Sequence, residues 1–255
     1  MTPKISPSSY LTPAFVSRYH LAEKLTGVFV APLVQHSGIL STPSNKPMAV
    51  FDNACGLGIV SSYLNSTLPE DVKRHWTLTC GDITELMVEY TKLRIEREGW
   101  VNAEAKVVDA QCTGLPADKY THVLTAFASW LVIMKEAIET TAWNVKFPTM
   151  KEFLALHNEG WDDESFVKAR FEEEGFEDVE VTAVQRETSL TISEFMEVGG
   201  GMIPIVTGAF WTPEQREKYE AKAPVVIREY LEEKFGADGV IRMEPVAVLA
   251  VGRKP

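Results

Sequence analysis

The sequence predicts an α/β fold whose core is a doubly wound, mostly parallel sheet. Short apolar segments alternate with segments of helical periodicity along residues 49–127. Three of the four predicted strands end at an aspartate or at a turn that contains one, and the first strand leads into a glycine-containing turn. This βαβ rhythm is typical of parallel sheets with helices on both faces. The chain has 255 residues, 45% of them hydrophobic, which suffices for one large domain with an added cap.

Residues 49–64, AVFDNACGLGIVSSYL, form the segment around which this prediction is built. A short apolar strand ends at Asp52, a turn of small residues follows, and a helical pattern begins at Ile59. Gly56 and Gly58 carry no Cβ, so the backbone of this turn can approach a ligand closely. A buried strand, a tight loop and a helix N-terminus together are a common way to hold a nucleotide-like ligand against backbone N–H groups.

Three more strands and two intervening helices complete the first half of the chain. The strands are predicted at residues 76–80, 105–108 and 121–127, and the helices at residues 59–68 and 84–99. Ahead of the first strand, residues 13–39 have apolar positions at steps of three and four. That spacing predicts a helical cover.

The rhythm breaks after Phe127, where a further crossover helix and a fifth core strand with a glycine turn are expected. The sequence continues directly into a helical pattern instead. The remaining predicted elements are helices at residues 128–138, 147–161, 163–174 and 212–236, an apolar stretch at 192–208, and strands at 178–184 and 240–252. We expect the last two strands to form an antiparallel pair at the edge of the sheet.

Composition excludes several classes of function. The formal charge of −11 argues against nucleic acid as a partner and against an anionic membrane surface. The five histidines are scattered, and no Cys/His cluster has the spacing of a metal site. We interpret Cys55, Cys80 and Cys112 as small buried hydrophobic residues in a reducing compartment. Neither a signal peptide nor a membrane-spanning segment is apparent, so we expect a soluble, cytoplasmic protein.

Aspartates at the ends of successive parallel strands define a candidate binding site. Asp52, Asp82 and Asp109 each follow a predicted strand, and ligands of open α/β sheets bind at the carboxyl ends of the strands. Asp82 can accept hydrogen bonds from two ribose hydroxyls, and Asp109 can accept one from an adenine amine. Ile83 can pack on the ring. A negative charge at Asp52 suits an ammonium or sulfonium group.

A nicotinamide cofactor is the competing interpretation of the loop. The dinucleotide fingerprint G-x-G-x-x-G would place its third glycine at position 61, where this chain has Ser61. In addition, Asp52 would lie unfavourably beside a pyrophosphate. Both residues disfavour an oxidoreductase.

At the level of motifs, the chain resembles class I S-adenosylmethionine-dependent methyltransferases, which have a Rossmann-like fold. DNACGLG at residues 52–58 is similar to the family's first motif, with Ala54 where glycine is common. GDIT at residues 81–84 through Met87 is similar to the second motif, and DAQ at residues 109–111 to the third. The chain resembles most closely the fungal gliotoxin bis-thiomethyltransferase type, through YHLAEKLTG, LTCGDITELM, EGWVNAE, KEFLALHNEGWDDES and FWTPEQRE.

This resemblance implies a donor, an acceptor and two sets of site residues. The donor is S-adenosyl-L-methionine, which leaves as S-adenosyl-L-homocysteine, and the acceptor is a thiol of a small apolar dithiol metabolite similar to reduced gliotoxin. The implied donor-binding residues are Tyr19, Thr26, Asp52, Asn53, Ala54, Gly56, Gly58, Asp82, Ile83, Met87, Asp109, Ala110 and Gln111. Candidates for the acceptor wall are Phe15, Phe127, Trp130, Phe210 and Trp211, with Phe29, Met196 and Met202 as further members. No general base is assigned.

The resemblance also implies a domain organisation and leaves alternatives open. Residues 1–47 are expected to form the N-terminal helical cover, and residues 48–255 the methyltransferase domain, with a helical cap at about 187–236. The family's fifth strand unit has no counterpart after Phe127, and no segment similar to LKPGG is present. O- or N-methylation of another small metabolite therefore stays open, as does a degenerate fold that binds the donor without turnover.

Overall fold

The computed structural model describes residues 19–110, 112–116, 118–125, 131–154 and 160–253. The chain divides into two compact units. We call the described residues within Leu11–Phe127 the N-terminal unit and those within Ala128–Pro255 the C-terminal unit. The division falls where the βαβ rhythm of the sequence breaks, and the helical segment before residue 47 lies in the same unit as the parallel sheet.

Short helices open the N-terminal unit. They are α1 (Glu23–Thr26) and α2 (Val30–His36), flanked by 3-10 turns at Tyr19–Leu21, Gly27–Phe29 and Ile39–Ser41. Glycine is a poor helix former, and Gly27 lies where the expected continuous helix is broken. The apolar stripe is confirmed over its described part, because Leu25, Phe29 and Leu33 are buried.

A four-stranded parallel sheet forms the centre of this unit. Its strands are β1 (Met48–Asn53), β2 (Trp76–Asp82), β3 (Ala103–Val107) and β4 (His122–Leu124), in the order β3-β2-β1-β4. The crossovers contain α3 (Ile59–Thr67), α4 (Glu70–Lys73) and α5 (Glu85–Glu98). The predicted parallel α/β fold is thereby confirmed. Within the described residues no fifth strand joins this sheet, in agreement with the unit that the sequence lacks.

The C-terminal unit is mostly helical. Its helices are α6 (Leu131–Glu139), α7 (Met150–Leu154), α8 (Glu164–Glu173), α9 (Ile192–Gly199), α10 (Ile203–Phe210), α11 (Pro213–Tyr219) and α12 (Ala223–Phe235). The side chains of Asp163, Thr191 and Thr212 cap α8, α9 and α11 by accepting backbone N–H groups. Helix α6 packs against α12, where Lys234 Nζ lies 2.7 Å from a Glu136 carboxylate oxygen.

Two antiparallel strand pairs accompany these helices. Strand β5 (Glu177–Gln185) pairs with β8 (Val246–Arg253), and β6 (Thr188–Thr191) pairs with β7 (Val240–Met243). The expected antiparallel pair is confirmed in β5 and β8. The prediction of one strand over residues 240–252 is wrong, because the segment is interrupted at Glu244–Pro245. Pro245 has no N–H to donate to a ladder, and its carbonyl accepts the Arg186 N–H at 3.1 Å in the turn between the pairs.

Gly81 is the point of closest packing in the parallel sheet. A Cβ at this position would lie 2.7 Å from Phe51 Cε2 and 3.0 Å from Val108 Cβ. We predict that Gly81→Ala lowers the free energy of unfolding by roughly 1–3 kcal/mol, since the buried neighbours must shift. Urea denaturation measures the change. Gly208→Ala in α10, where a Cβ meets nothing within 4 Å, is the matched control. Equal stability of wild type and Gly81→Ala would contradict the packing argument.

Candidate functional site

The candidate site lies at the carboxyl edge of the parallel sheet in the N-terminal unit. Strand pairing sets Asp52 opposite Cys80 of β2 and Leu124 of β4, while Asp82 is opposite Val107 of β3. The ends of four strands therefore meet at one edge. The N–H of Val108 donates to the Asp82 carbonyl at 2.9 Å, so the pairing between β2 and β3 continues one residue beyond the end of β3.

The loop after β1, residues 54–58, is a tight turn closed by its own backbone. Ala54, Gly56 and Gly58 have φ values of 54°, 55° and 78°, the left-handed region that glycine adopts without steric cost. The N–H of Cys55 donates to the Gly81 carbonyl at 2.9 Å, and the N–H of Gly58 donates to the Cys55 carbonyl at 2.8 Å. Ala54 adopts this conformation in spite of its Cβ. The loop is thus bound to β2 at the residue before Asp82.

Asp82 joins the loop to the end of β2 through both of its carboxylate oxygens. Oδ2 accepts the N–H of Gly56 at 3.0 Å, and Oδ1 accepts the N–H of Thr84 at 2.9 Å. The residue is 9% exposed. An ionised carboxylate offers about four lone-pair sites, so both oxygens can accept further hydrogen bonds from a ligand. The sequence predicted the binding role and missed the structural one.

The other predicted ring-binding and adenine-binding positions differ in exposure. The Ile83 side chain is 50% exposed beside Asp82, whereas Met87 is buried. Asp109 and Ala110 are exposed, and the Asp109 carbonyl accepts the Cys112 N–H at 3.0 Å in a turn. Gln111 lies outside the described residues. Ile83 therefore offers an apolar surface at this edge, and burial of Met87 places that side chain in the core.

Asp52 lies beneath the loop. Its side chain is 1% exposed, and Oδ2 accepts the backbone N–H of Ser61 at 3.1 Å and the Ser61 hydroxyl at 2.6 Å. Ser61 belongs to the first turn of α3, so the carboxylate satisfies a free N–H at the helix N-terminus. Burial raises the pKa of Asp52 to about 6, the hydrogen bonds from Ser61 oppose this rise, and the negative charge of Asp82 adds to it. The expectation that Asp52 lies beside the ligand's cationic group is not supported by this burial.

Asn53 supplies an unused acceptor at the same edge. Its Nδ2 donates to the hydroxyl of Thr125, just after β4, at 3.4 Å. Its Oδ1 is buried and has no hydrogen-bond partner in the structure. A buried acceptor without a partner is unfavourable, and an ammonium group would satisfy it. Together with the free lone pairs of Asp82 and the exposed Ile83, this orphan atom fits an adenosyl group that also carries an amino acid.

Comparisons with known proteins identify the family. No protein-family model matches the sequence. The acetylaranotin bis-thiomethyltransferase of Aspergillus terreus is 42% identical, and the alignment covers 96% of this chain and 96% of that protein. Methyltransferase tpcH of Aspergillus fumigatus is 41% identical, with 95% and 97% covered. The chain belongs to the class I S-adenosylmethionine-dependent methyltransferases.

A solved structure agrees with the fold of this methyltransferase. The phosphoethanolamine N-methyltransferase 2 of Haemonchus contortus, solved with S-adenosyl-L-methionine, superposes with a TM-score of 0.51 at 12% identity. The match covers 99% of this chain and 60% of that one. At this identity the likeness concerns the fold alone.

The alignments also bear on the missing fifth strand unit. The alignment with the A. terreus relative has 265 positions, more than the 255 residues of this methyltransferase, so that relative contains residues without a counterpart here. Methyltransferase afvD of Aspergillus flavus is 41% identical over 240 positions that cover 94% of this chain and 92% of that protein. This relative therefore aligns without the additional residues that the A. terreus relative contains.

The cysteines of this methyltransferase are free thiols with different environments. Cys55 and Cys80 are buried, as expected, and a Ser61 hydroxyl lies 3.1 Å from the Cys80 sulfur. The interaction with Cys80, followed by burial, raises the pKa of the Cys55 thiol far above its usual range. The prediction that all three cysteines are buried is wrong for Cys112, which is exposed in the turn after Asp109. The raised pKa of Cys55 favours the protonated form of its thiol.

The cover residues expected to touch the donor are only partly described. Tyr19 begins a 3-10 turn, and its side chain lies outside the described part of the structure. The Thr26 hydroxyl donates to the Ala22 carbonyl at 3.3 Å within its own helical segment. The hydroxyl oxygen can still accept a hydrogen bond. The expected contact between Thr26 and the donor therefore stays a prediction.

The acceptor-wall candidates divide into core residues and partly exposed residues. Phe15, Phe127 and Trp130 lie outside the described residues. Phe29 is buried in the core of the N-terminal unit. Trp211 is 5% exposed, and its Nε1 donates to the Lys146 carbonyl at 2.8 Å, so it is a core residue of the C-terminal unit. The partly exposed candidates are Phe210, Met196 and Met202.

Three residues that support the loop were not predicted from the sequence. Ser61 binds Asp52, and Thr91 and Arg94 of α5 bind the carbonyls of Gly56 and Leu57. The signal for Ser61 was present, because a hydroxyl in the first turn of the helix can reach the acid that ends the preceding strand. The α5 residues are distant from the loop in sequence, and only packing brings them to it.

The raised pKa of Asp52 predicts how stability depends on pH. Folded Asp52 holds its proton up to about pH 6, whereas the unfolded carboxyl loses it near its ordinary pKa of 3.8. Ionisation of the unfolded state therefore lowers the stability of wild type as the pH rises from about 4 to 6. Asp52→Asn does not titrate, and its amide oxygen can still accept from Ser61. We predict that the stability of Asp52→Asn relative to wild type increases over this range, by about 3 kcal/mol at most.

Denaturant unfolding at pH 4, 5, 6 and 7 measures this difference. Asp71→Asn removes an exposed carboxylate from the first turn of α4 and serves as the control. A stability difference between Asp52→Asn and wild type that is the same at every pH would show that Asp52 does not titrate as a buried acid.

Proposed function

We propose that this methyltransferase transfers methyl groups from S-adenosyl-L-methionine to the thiols of a small apolar dithiol metabolite of the reduced gliotoxin type. The single observation that supports the donor site best is the Asp82 carboxylate, which holds the loop after β1 and retains free lone pairs. The acceptor class is supported by the name of the A. terreus relative, a bis-thiomethyltransferase, at 42% identity.

The donor site is assigned to residues of the N-terminal unit that stand together at the sheet edge. Asp82 is proposed to accept hydrogen bonds from the two ribose hydroxyls. Ile83 packs against the adenine, and Asp109 with Ala110 borders its amine. Asn53 Oδ1 accepts the ammonium of the amino acid portion, since this atom is buried without a partner. Gly56 and Gly58 keep the loop free of side chains where the donor passes.

Transfer requires alignment more than acid–base assistance. When bound, the donor supplies a methyl group that is already activated by a positive sulfur. The residues of the site orient it and exclude water. A thiol has a pKa of about 8.5 in water, so a fraction of the acceptor is a thiolate near neutral pH without a strong base. Cys55 is buried and the pKa of its thiol is raised, so we assign it no part in the transfer, which goes directly from the donor to the acceptor sulfur.

The proposal includes a reducing, cytoplasmic location. All three cysteines are free, which is typical of proteins kept in reducing compartments. The described helices include none long and apolar enough to cross a membrane. The same reducing conditions would keep a dithiol acceptor open for methylation.

Adenosylhomocysteine binding tests the donor site. We predict that Asp82→Ala weakens its binding by about 1.5 kcal/mol or more, because a charge-assisted pair is lost and the loop loses its anchor. Isothermal titration calorimetry measures the affinity, with Asp71→Ala as an exposed-aspartate control. Unchanged affinity in a folded Asp82→Ala protein, or saturable binding of NADH in place of adenosylhomocysteine, would contradict the assignment.

Mass spectrometry of the acceptor tests the reaction. Reduced gliotoxin incubated with protein and donor is expected to gain one methyl group on each thiol. Hydroxyl and amine analogues of the same ring system are expected to gain none. Methylation confined to those analogues would establish the O- or N-methyltransferase alternative. Donor binding without any methylation would instead favour a degenerate fold.

A further inference from the structure

Arg94 of α5 bridges the N-terminal helices and the loop after β1. Its Nη1 donates to a Glu23 carboxylate oxygen at 2.7 Å and to the Leu57 carbonyl at 3.0 Å. Its Nε donates to a Glu98 carboxylate oxygen at 2.9 Å. The side chains of Arg94 and Glu23 are 13% and 21% exposed. A charge pair this far removed from water is screened less than a surface pair.

Two side chains of α5 bind the carbonyls of two consecutive loop residues, Gly56 and Leu57. The Thr91 hydroxyl donates to the Gly56 carbonyl at 2.9 Å, one turn before the residue whose guanidinium binds Leu57. The C=O and N–H of a trans peptide point in opposite directions. Binding the Gly56 carbonyl to α5 therefore turns the N–H of Leu57 to the opposite side of the loop. The loop also packs closely here, since a Cβ on Gly58 would lie 3.3 Å from Thr91 Cγ2.

The helical cover contacts both Arg94 and the helix that follows the loop. Glu23 is the first residue of α1, and a Cβ on Gly27 would lie 3.0 Å from Ile59 Cδ1, at the first residue of α3. The cover thus contacts the helix that follows the loop, and through Glu23 it also binds the guanidinium that holds Leu57. Any displacement of α1 alters the same guanidinium that fixes the loop carbonyl.

Arginine is suited to this position in a way that lysine is not. The planar guanidinium presents several donors in fixed directions, so it serves Glu23, Leu57 and Glu98 together. In addition, Arg94 Cζ lies 5.9 Å from the centre of the Trp100 ring. A lysine ammonium is a single compact charge and cannot hold all of these partners in the same geometry.

We propose that Arg94 is a positioning residue that couples the helical cover to the donor-binding loop. It does not touch the donor. Its contact with the Leu57 carbonyl fixes the conformation of the loop. Its contact with Glu23 links that conformation to the position of α1, so that a change in either one affects the other. This inference rests on the proposed donor site, because it assumes that the loop binds adenosylmethionine.

Adenosylhomocysteine affinity, measured by calorimetry, tests the coupling. We expect Arg94→Met to weaken binding about tenfold and Glu23→Gln about threefold, with the double variant no weaker than Arg94→Met alone, since both residues act through one contact. Arg94→Lys should recover part of the loss. Arg97→Met is the matched control, because Arg97 lies on the same helix and pairs with the same Glu98 without reaching the loop.

Two further readouts separate positioning from a general loss of structure. In steady-state kinetics, Arg94→Met should raise the KM for the donor and leave kcat at saturating donor nearly unchanged. In hydrogen exchange, adenosylhomocysteine should protect the amides of Glu23–Thr26 in wild type and protect them less in Glu23→Gln. Glu23→Gln changes a partly exposed side chain, so this measurement remains decisive if Arg94→Met does not fold.

The outcomes distinguish this inference from the donor site itself. If Asp82→Ala binds adenosylhomocysteine more weakly than wild type, but folded Arg94→Met binds it like wild type, Arg94 has no positioning role. A second outcome is that Arg94→Met binds adenosylhomocysteine more weakly, while Glu23→Gln changes neither the affinity nor the hydrogen exchange of α1. That result would show that Arg94 does not couple the cover to the loop. If wild type binds no adenosylhomocysteine, the donor site fails and this inference fails with it.

Discussion

The interaction on which the site depends is the double hydrogen bond of the Asp82 carboxylate. One oxygen fixes Gly56 in the loop after β1, and the other fixes Thr84 at the start of α5. The loop, the end of β2 and the next helix therefore share a single charged group. Since hydrogen bonds to an ionised acceptor are about twice as strong as neutral ones, this group defines the loop before any ligand arrives. The structural role and the proposed binding role use different lone pairs of the same two oxygens.

A second acid, Asp52, supports the loop from beneath at an energetic cost. Its burial disfavours the ionised form, and Ser61 offsets only part of that penalty. The carboxylate nevertheless serves the N-terminus of α3, where free N–H groups and the helix dipole favour a negative charge. A neutral amide would satisfy the same N–H with less desolvation. The negative charge of Asp82 adds to this cost, because it also raises the pKa of Asp52.

The sequence predicted the elements that repeat a local pattern and missed those that depend on packing. Strands β1 and β2 were found because each is a short apolar segment that ends at an aspartate. The split of the last predicted strand at Pro245 was not found, because the apolar pattern continues on both sides of it. The buried Trp211 likewise donates to the carbonyl of Lys146, which lies 65 positions away in the sequence. Such long-range partners leave no periodic signal in one sequence.

The proposed donor site and the proposed acceptor site therefore differ in how well the sequence predicts them. The proposed donor residues occupy short motifs at strand ends, where the parallel topology alone brings Asp82 and the loop together. The acceptor candidates come from distant segments of apolar sequence, and aromatic residues serve a core as readily as a binding wall. Arg94 belongs to neither pattern, yet it joins the cover, the loop and α5 through one guanidinium. A motif can identify the donor of a methyltransferase, whereas the arrangement of its supporting residues has to be observed in the fold.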